Sequence, residues 1–153
     1  RDPFAILAVS GGGRQTDNLE VFPQIRPHRD GRFASRFFLH GWRHVNMPSQ
    51  ERLNRLEAGA ALQVAVELNN PATGAAIQLL TPGDYFMVGW TPRYLIKDML
   101  AAIAGGVENM RAHVIRNNPP PAPHNQRVLV ELEGRFQIGY QPMSSEEFLP
   151  LVA

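Results

Sequence analysis

The sequence contains no cysteine. That excludes disulfides, thiolate catalysis and cysteine-ligated zinc, and it accords with a reducing, cytoplasmic setting. Long hydrophobic runs are also missing. The apolar run from Phe4 to Val9 is far shorter than the roughly 20 residues a helix needs to span a bilayer. It is shorter than a signal-peptide core as well, and Gly11, Gly12 and Gly13 after it make a poor cleavage site, so it reads as a strand and no membrane partner is expected. Lysine is nearly absent, Lys97 being the only one. A net charge of +1 argues against strong nucleic-acid binding by bulk electrostatics.

What is present is enough for one domain. The 153 residues, 44% of them hydrophobic, can bury a sizeable core without staples. No internal repeat and no second-domain boundary is visible. Positive charge is locally dense. Arg26, Arg29, Arg32, Arg36, Arg43, Arg52 and Arg55 fall within thirty residues, opposed there by Asp30 and Glu51 alone. Arginine offers planar, bidentate contacts to phosphate, although arginine bias also arises simply from a GC-rich genome.

Residues 1–35 read as an N-terminal arm or extra strand, with Pro23 and Pro27 breaking regular structure. Residues 36–136 read as a barrel domain and 137–153 as a C-terminal tail. An aromatic strand is expected over 36–42. A short helix follows, with Pro48 in its first turn, Glu51 and Arg55 paired at i,i+4, Leu53, Leu56 and Ala60 on one face, and Gly59 as its stop. Strict alternation over 61–68 predicts a half-buried strand with Leu62, Val64, Val66 and Leu68 on one side. Further strands are expected at 76–81 and 85–90, joined by a turn at Pro82, Gly83 and Asp84. Thr91 reads as a helix N-cap and Pro92 as the first helical residue. An apolar stripe from Leu95 to Ile103 follows, closed by Gly105 and Gly106. Strands at 111–116 and 127–133 flank a proline-rich, extended and exposed loop at 117–123. The predicted class is mainly β with two short helices: a small, OB-like, partly open barrel of about six strands. Tight turns between the strands of 61–90 disfavour a parallel Rossmann sheet.

Motifs for catalysis are wanting. The serines stand in no nucleophile-elbow pattern, and the glycine run at 11–13 lacks the ending of a P-loop. Glu146 and Glu147 lie in the polar tail. His40 and His44 are four residues apart, which on a strand is about 13 Å, too far for two imidazoles to share a metal. No other His, Asp or Glu spacing reads as a zinc site. No catalytic residue, metal or cofactor is therefore expected, and a non-enzymatic role ranks above an enzyme.

Three stretches resemble the HIRAN domain family. Phe38 to His44 is similar to an aromatic strand ending in glycine followed by basic and aromatic residues. Glu67 to Ile77 is similar to a polar strand end, Asn-Pro, a short turn and Ala-Ile. Val88 to Leu95 is similar to the family's Ile-Gly-Tyr-Leu-Pro stretch leading into a helix. Family members occur at the N-terminus of Snf-type helicase-like translocases and as stand-alone bacterial proteins. The resemblance implies an OB-like barrel that captures a single-stranded DNA 3′ end, holding the terminal hydroxyl in a pocket and stacking aromatics on the last bases. Position by position, it implies that Arg43 contacts phosphate or sugar and that His44 takes the place of a stacking aromatic. It implies that Asn70 hydrogen-bonds a base or terminal sugar, that Trp90 lines the same pocket, and that Arg93 adds a phosphate contact. The sequence departs from the pattern at Ala72 and Thr73, where many DNA-binding members carry an aromatic and an acid.

Each of these residues also has an ordinary structural reading. By alternation Trp42 shares a face with Phe38, and Trp90 with Phe86 and Val88, so both suit a core. Arg43 would then face away from Trp42, and the two should not line one site unless the strand bulges. Asn70 before Pro71 suits a turn. Arg93 sits in a helix's first turn, where a cation is mildly unfavourable unless an anion is near. The expected function is a module that binds single-stranded DNA or strand ends in DNA repair or replication-related processes. The alternative is a protein-interaction or regulatory module without DNA binding. Oligomeric state is not legible.

Overall fold

The computed structural model describes residues 25–71 and 74–143. The strand expected at 4–9, the glycine run at 11–13, Ala72, Thr73, and the serines and glutamates of 144–147 lie outside the described residues. Six strands, β1 (Arg32–Phe38), β2 (Ala61–Asn70), β3 (Gly74–Leu80), β4 (Met87–Trp90), β5 (Arg111–Asn117) and β6 (Val128–Arg135), form one antiparallel sheet in the order β1-β6-β5-β2-β3-β4. Two short helices, α1 (Met47–Asn54) and α2 (Ile96–Ala104), complete it. The sheet curls until its ends nearly meet. His40, two residues beyond β1, exchanges both backbone hydrogen bonds with Trp90 at the end of β4, at 2.9 and 3.0 Å. One bridge is not a ladder, so the barrel is partly open, as the sequence led one to expect.

Alternation explains the wall. Phe33, Ser35 and Phe37 of β1 face inward and Arg32, Ala34 and Arg36 face out. Val128, Val130 and Leu132 of β6 do the same against them. Ile77, Leu79, Leu95 and Met99 are fully enclosed, each contributing about 1.5–3 kcal/mol by leaving water. The polar outer face of β1, β6 and β5 is a charge ladder. Arg36 donates to Glu131 at 2.8 Å, and Arg32 donates to Asp30 at 2.7 Å.

Several boundaries differ from the sequence-based expectation, each for a local reason. β1 starts at Arg32 and ends at Phe38, and Trp42–His44 is a 3-10 turn. The cause is Gly41, whose left-handed backbone (φ 89) ends the extended run. α1 stops at Asn54, well before Gly59, and Ala60 is not helical. Asn46 caps its start by accepting from the Ser49 N–H at 2.9 Å. Asn117 of β5 caps its end, donating to the carbonyls of Leu53 and Leu56. The helix's ion pair runs from Arg52 to Asp84 at 2.9 Å and is not the expected pairing of Glu51 with Arg55. β4 is shorter than expected because residues 81–86 form a turn. The Thr81 hydroxyl donates to Asp84 and accepts from the Phe86 N–H, and Tyr85 is left-handed (φ 56). Leu68, expected to face inward, is 72% exposed. β2 pairs with β5 only at Ala61 and Leu62, so its far end carries β3 alone, and a bulge with left-handed Asn69 twists the tip away from the core.

Thr91 is not a helix cap. Its N–H donates to the Ile77 carbonyl at 3.0 Å, so it extends the sheet. The chain then enters α2 through a 3-10 turn, Arg93–Leu95, that starts from extended Pro92. Gly105 caps the other end as expected. Beyond β6 the chain folds back on α2. Buried Asp98 accepts from the Tyr140 hydroxyl at 2.7 Å and from the Met143 N–H. Burial, helped by that carboxylate, raises the Tyr140 pKa, and burial alone pushes Tyr94 up to about 12. Asp84 is lowered by the Thr81 hydroxyl and then Arg52, and Asp30 is lowered chiefly by the Arg32 backbone N–H.

Candidate functional site

The barrel's narrow closure, where His40 meets Trp90, is also where the chemistry gathers. Gly41 lies flat against the Trp90 ring. A Cβ at Gly41 would stand 2.2 Å from a ring carbon, so no other residue fits there. The far edge of the indole is held by Glu67 of β2, whose Oε1 accepts from Trp90 Nε1 at 3.1 Å. The same oxygen accepts from Asn70 Nδ2 at 2.9 Å. One carboxylate oxygen therefore fixes both the plane of the tryptophan and the orientation of the asparagine amide. His44, at the end of the 3-10 turn, presents its ring edge-on to Trp90 with centroids 6.4 Å apart.

Gly41, His44, Asn70 and Trp90 line a pocket of about 580 Å³, with Glu67 holding two of them from outside its lining. His40, Gly41 and His44 come from the turn after β1, Asn70 and Pro71 from the β2–β3 tip, and Trp90, Thr91 and Arg93 from the end of β4 and the entry to α2. Four of the five residues singled out from sequence, His44, Asn70, Trp90 and Arg93, thus share one cavity. Arg43 lines an adjoining pocket of about 370 Å³ that shares His40, Gly41 and His44 with the first. Trp42 lines that second pocket too. The expectation that Trp42 and Arg43 face opposite ways fails because a 3-10 turn, not a strand, carries them.

The two tryptophans are held differently. Trp42 is stacked flat on His124, with centroids 4.5 Å apart and planes 7° from parallel, and the Arg127 guanidinium lies over its ring at 5.7 Å. Arg127 is itself buried and tied to the Asn118 carbonyl and Asn54 Oδ1. The proline-rich loop is exposed at Pro119 to Pro121, but its return is a 3-10 turn, His124–Gln126, that brings His124 onto Trp42. The expectation of an exposed loop over 117–123 holds for these prolines, but they are not extended, because the Ala122 N–H donates to the Pro119 carbonyl at 3.1 Å and closes a turn.

Charge is partitioned in the same way. Arg32, Arg36 and Arg52 of the arginine-dense segment are spent on Asp30, Glu131 and Asp84. Arg43 and Arg93 are exposed, and no ion pair among the described residues engages them. They flank the two pockets as the cations available to an anionic ligand.

Glu67 is the residue that sequence reading passed over. Alternation placed it as an outward polar residue, and nothing local tells that its carboxylate reaches residues 3 and 23 positions away. For metals, the argument from strand length against His40 and His44 does not apply, because the chain turns between them. Even so, among the described residues no third ligand joins them. Among the described residues one three-donor group exists elsewhere: His113, Glu131 and Glu133 gather across β5 and β6 within 4.8 Å. Its two imidazole nitrogens face different carboxylates, each at 3.8 Å, and Arg36 holds the other oxygen of Glu131. That is the pattern of a charge ladder rather than of one shared ion. No described helix is long and apolar enough to cross a membrane. Neither a protein-family model, nor a curated protein, nor a solved structure matches the chain.

Proposed function

We propose that the chain is a stand-alone HIRAN-type, non-enzymatic, cytoplasmic module that binds single-stranded DNA, with a preference for its 3′ end, in DNA repair or replication-related processes. The observation that carries this reading is convergence. His44, Asn70, Trp90 and Arg93 come from three distant segments and meet in one open pocket sized for a nucleotide or two, with Arg43 at its extension. A base presents a flat face, and stacking on an aromatic contributes roughly 1–3 kcal/mol. The asparagine amide supplies a directional polar group, and the two arginines supply phosphate contacts.

The test is fluorescence anisotropy with short labelled single strands at low and moderate salt, comparing a 3′-hydroxyl with a 3′-phosphate and adding duplex and RNA competitors. Tighter binding of the 3′-hydroxyl strand, weakening with salt, is the expected result. A second reading, a protein-interaction module, draws on the pairing of Arg32, Arg36 and Arg52 with acids, which takes three arginines of the dense segment out of the charge open to a strand. It predicts that no strand binds at moderate salt.

A further inference from the structure

Thr91 stands in the wall of the larger pocket, between Trp90 and Pro92. It is 4% exposed, and its Oγ1 is the one buried side-chain oxygen or nitrogen among the described residues without a hydrogen-bond partner. A threonine before a proline-led helix entry would ordinarily spend its hydroxyl on a cap, yet the turn at Arg93 receives no side-chain cap and the Thr91 backbone is committed to β3. Burying a hydroxyl unpaired is a cost that a valine of the same shape would avoid. Buried polar groups are otherwise satisfied, and an exception inside a binding cavity calls for a reason.

We propose that Thr91 Oγ1 is a ligand-contacting group, completing its hydrogen bonding on a polar atom of the nucleotide seated beside Trp90. This rests on the nucleic-acid reading above. A hydroxyl both donates and accepts, so it matches a terminal sugar hydroxyl or a base edge equally. Thr91 follows the stacking ring in the chain and lines the same cavity as Asn70, so both residues stand in the wall of the site. In this protein it supplies a hydrogen-bonding hydroxyl that neither the stacking ring nor the arginines can offer.

The experiment uses the whole chain and two substitutions, Thr91→Val and Thr91→Ser, with labelled single strands ending in a 3′-hydroxyl or in 3′-hydrogen. Thr91→Val is expected to unfold at the same temperature as the parent or higher, and to bind the 3′-hydroxyl strand about five-fold more weakly. Thr91→Ser, which keeps the hydroxyl, is expected to restore binding to within about two-fold of the parent. If Thr91→Val erases the preference for 3′-hydroxyl over 3′-hydrogen, the contact is the terminal sugar. If it weakens both strands equally, the contact is a base edge. Unchanged affinity of Thr91→Val, with the parent binding normally, would overturn this inference and leave the nucleic-acid reading standing. A lowered unfolding temperature with unchanged affinity would show the hydroxyl to be structural. Failure of the parent to bind any strand would end the nucleic-acid reading and this inference with it.

Discussion

The two tryptophans stand at the rims of neighbouring pockets, yet the protein treats them in opposite ways. Trp42 has its ring stacked by His124 and overlain by buried Arg127. Trp90 is pinned at its edge by Glu67 and backed by a glycine, and it lines the larger cavity. Three arginines of the dense segment divide from the pocket pair along the same line: Arg32, Arg36 and Arg52 are paired to acids, and Arg43 and Arg93 are exposed with no ion pair among the described residues. An aromatic held by its edge and back is a platform; an aromatic already stacked is mortar. Composition cannot tell the two apart, because the distinction lies in what other segments bring to each ring.

Truncating each ring in turn separates the two roles most strongly. Trp90→Ala is expected to weaken strand binding by roughly 5- to 150-fold, the worth of one stacked base. Trp42→Ala is expected to cost about 2–3 kcal/mol of stability, read by urea unfolding, because it leaves His124 and Arg127 without the ring they pack on. Should Trp42→Ala abolish binding at unchanged stability, the assignment of roles would be reversed.

A smaller effect sharpens the role of Glu67. Glu67→Ala is expected to weaken binding several-fold by freeing both Trp90 and Asn70, each losing a hydrogen bond of about 1–2 kcal/mol. Glu67→Gln, which keeps an accepting oxygen, is expected to recover most of it. The emission maximum of Trp90 in a Trp42→Phe background reports the loss of the indole contact directly. Next in size, Arg43→Ala and Arg93→Ala should each reduce the salt dependence of strand binding by about one phosphate contact, whereas Arg36→Ala should not.

Much of the barrel was legible because alternation is a local signal. Strands expected over 61–68, 76–81, 111–116 and 127–133 are found over 61–70, 74–80, 111–117 and 128–135, and alternation is cleanest in the first of them. Three things were not. The turn at Gly41 is hidden inside an aromatic run that reads as strand, and only the Trp90 ring pressed on that glycine explains it. Glu67 has a role that depends on bulge geometry at the β2–β3 tip. Thr91 has the local signature of a helix cap, and only the sheet bond to Ile77 shows that it belongs to the wall. For the site, sequence named four residues that do converge and one neighbour, but it misjudged how Trp42 and Arg43 are presented.

The least effect expected is on the pH profile of stability. Asp84 and Asp30 have folded pKa values below their unfolded ones, so their contribution is present above about pH 4 and is lost as pH falls through the lowered values. Tyr94 is raised, so its contribution is present below about pH 10 and is lost as pH climbs toward its folded pKa of about 12. Thermal unfolding should therefore show a plateau between those limits, and Asp84→Asn should flatten its acid edge, whereas substitutions at the pocket should not.

The most direct test of the central claim is tryptophan fluorescence in two single-tryptophan variants, Trp42→Phe and Trp90→Phe, titrated with a short 3′-hydroxyl single strand. Trp90 emission is expected to be quenched as the strand binds while Trp42 emission barely changes. Quenching of Trp42 with Trp90 unmoved, or no change in either, would contradict it.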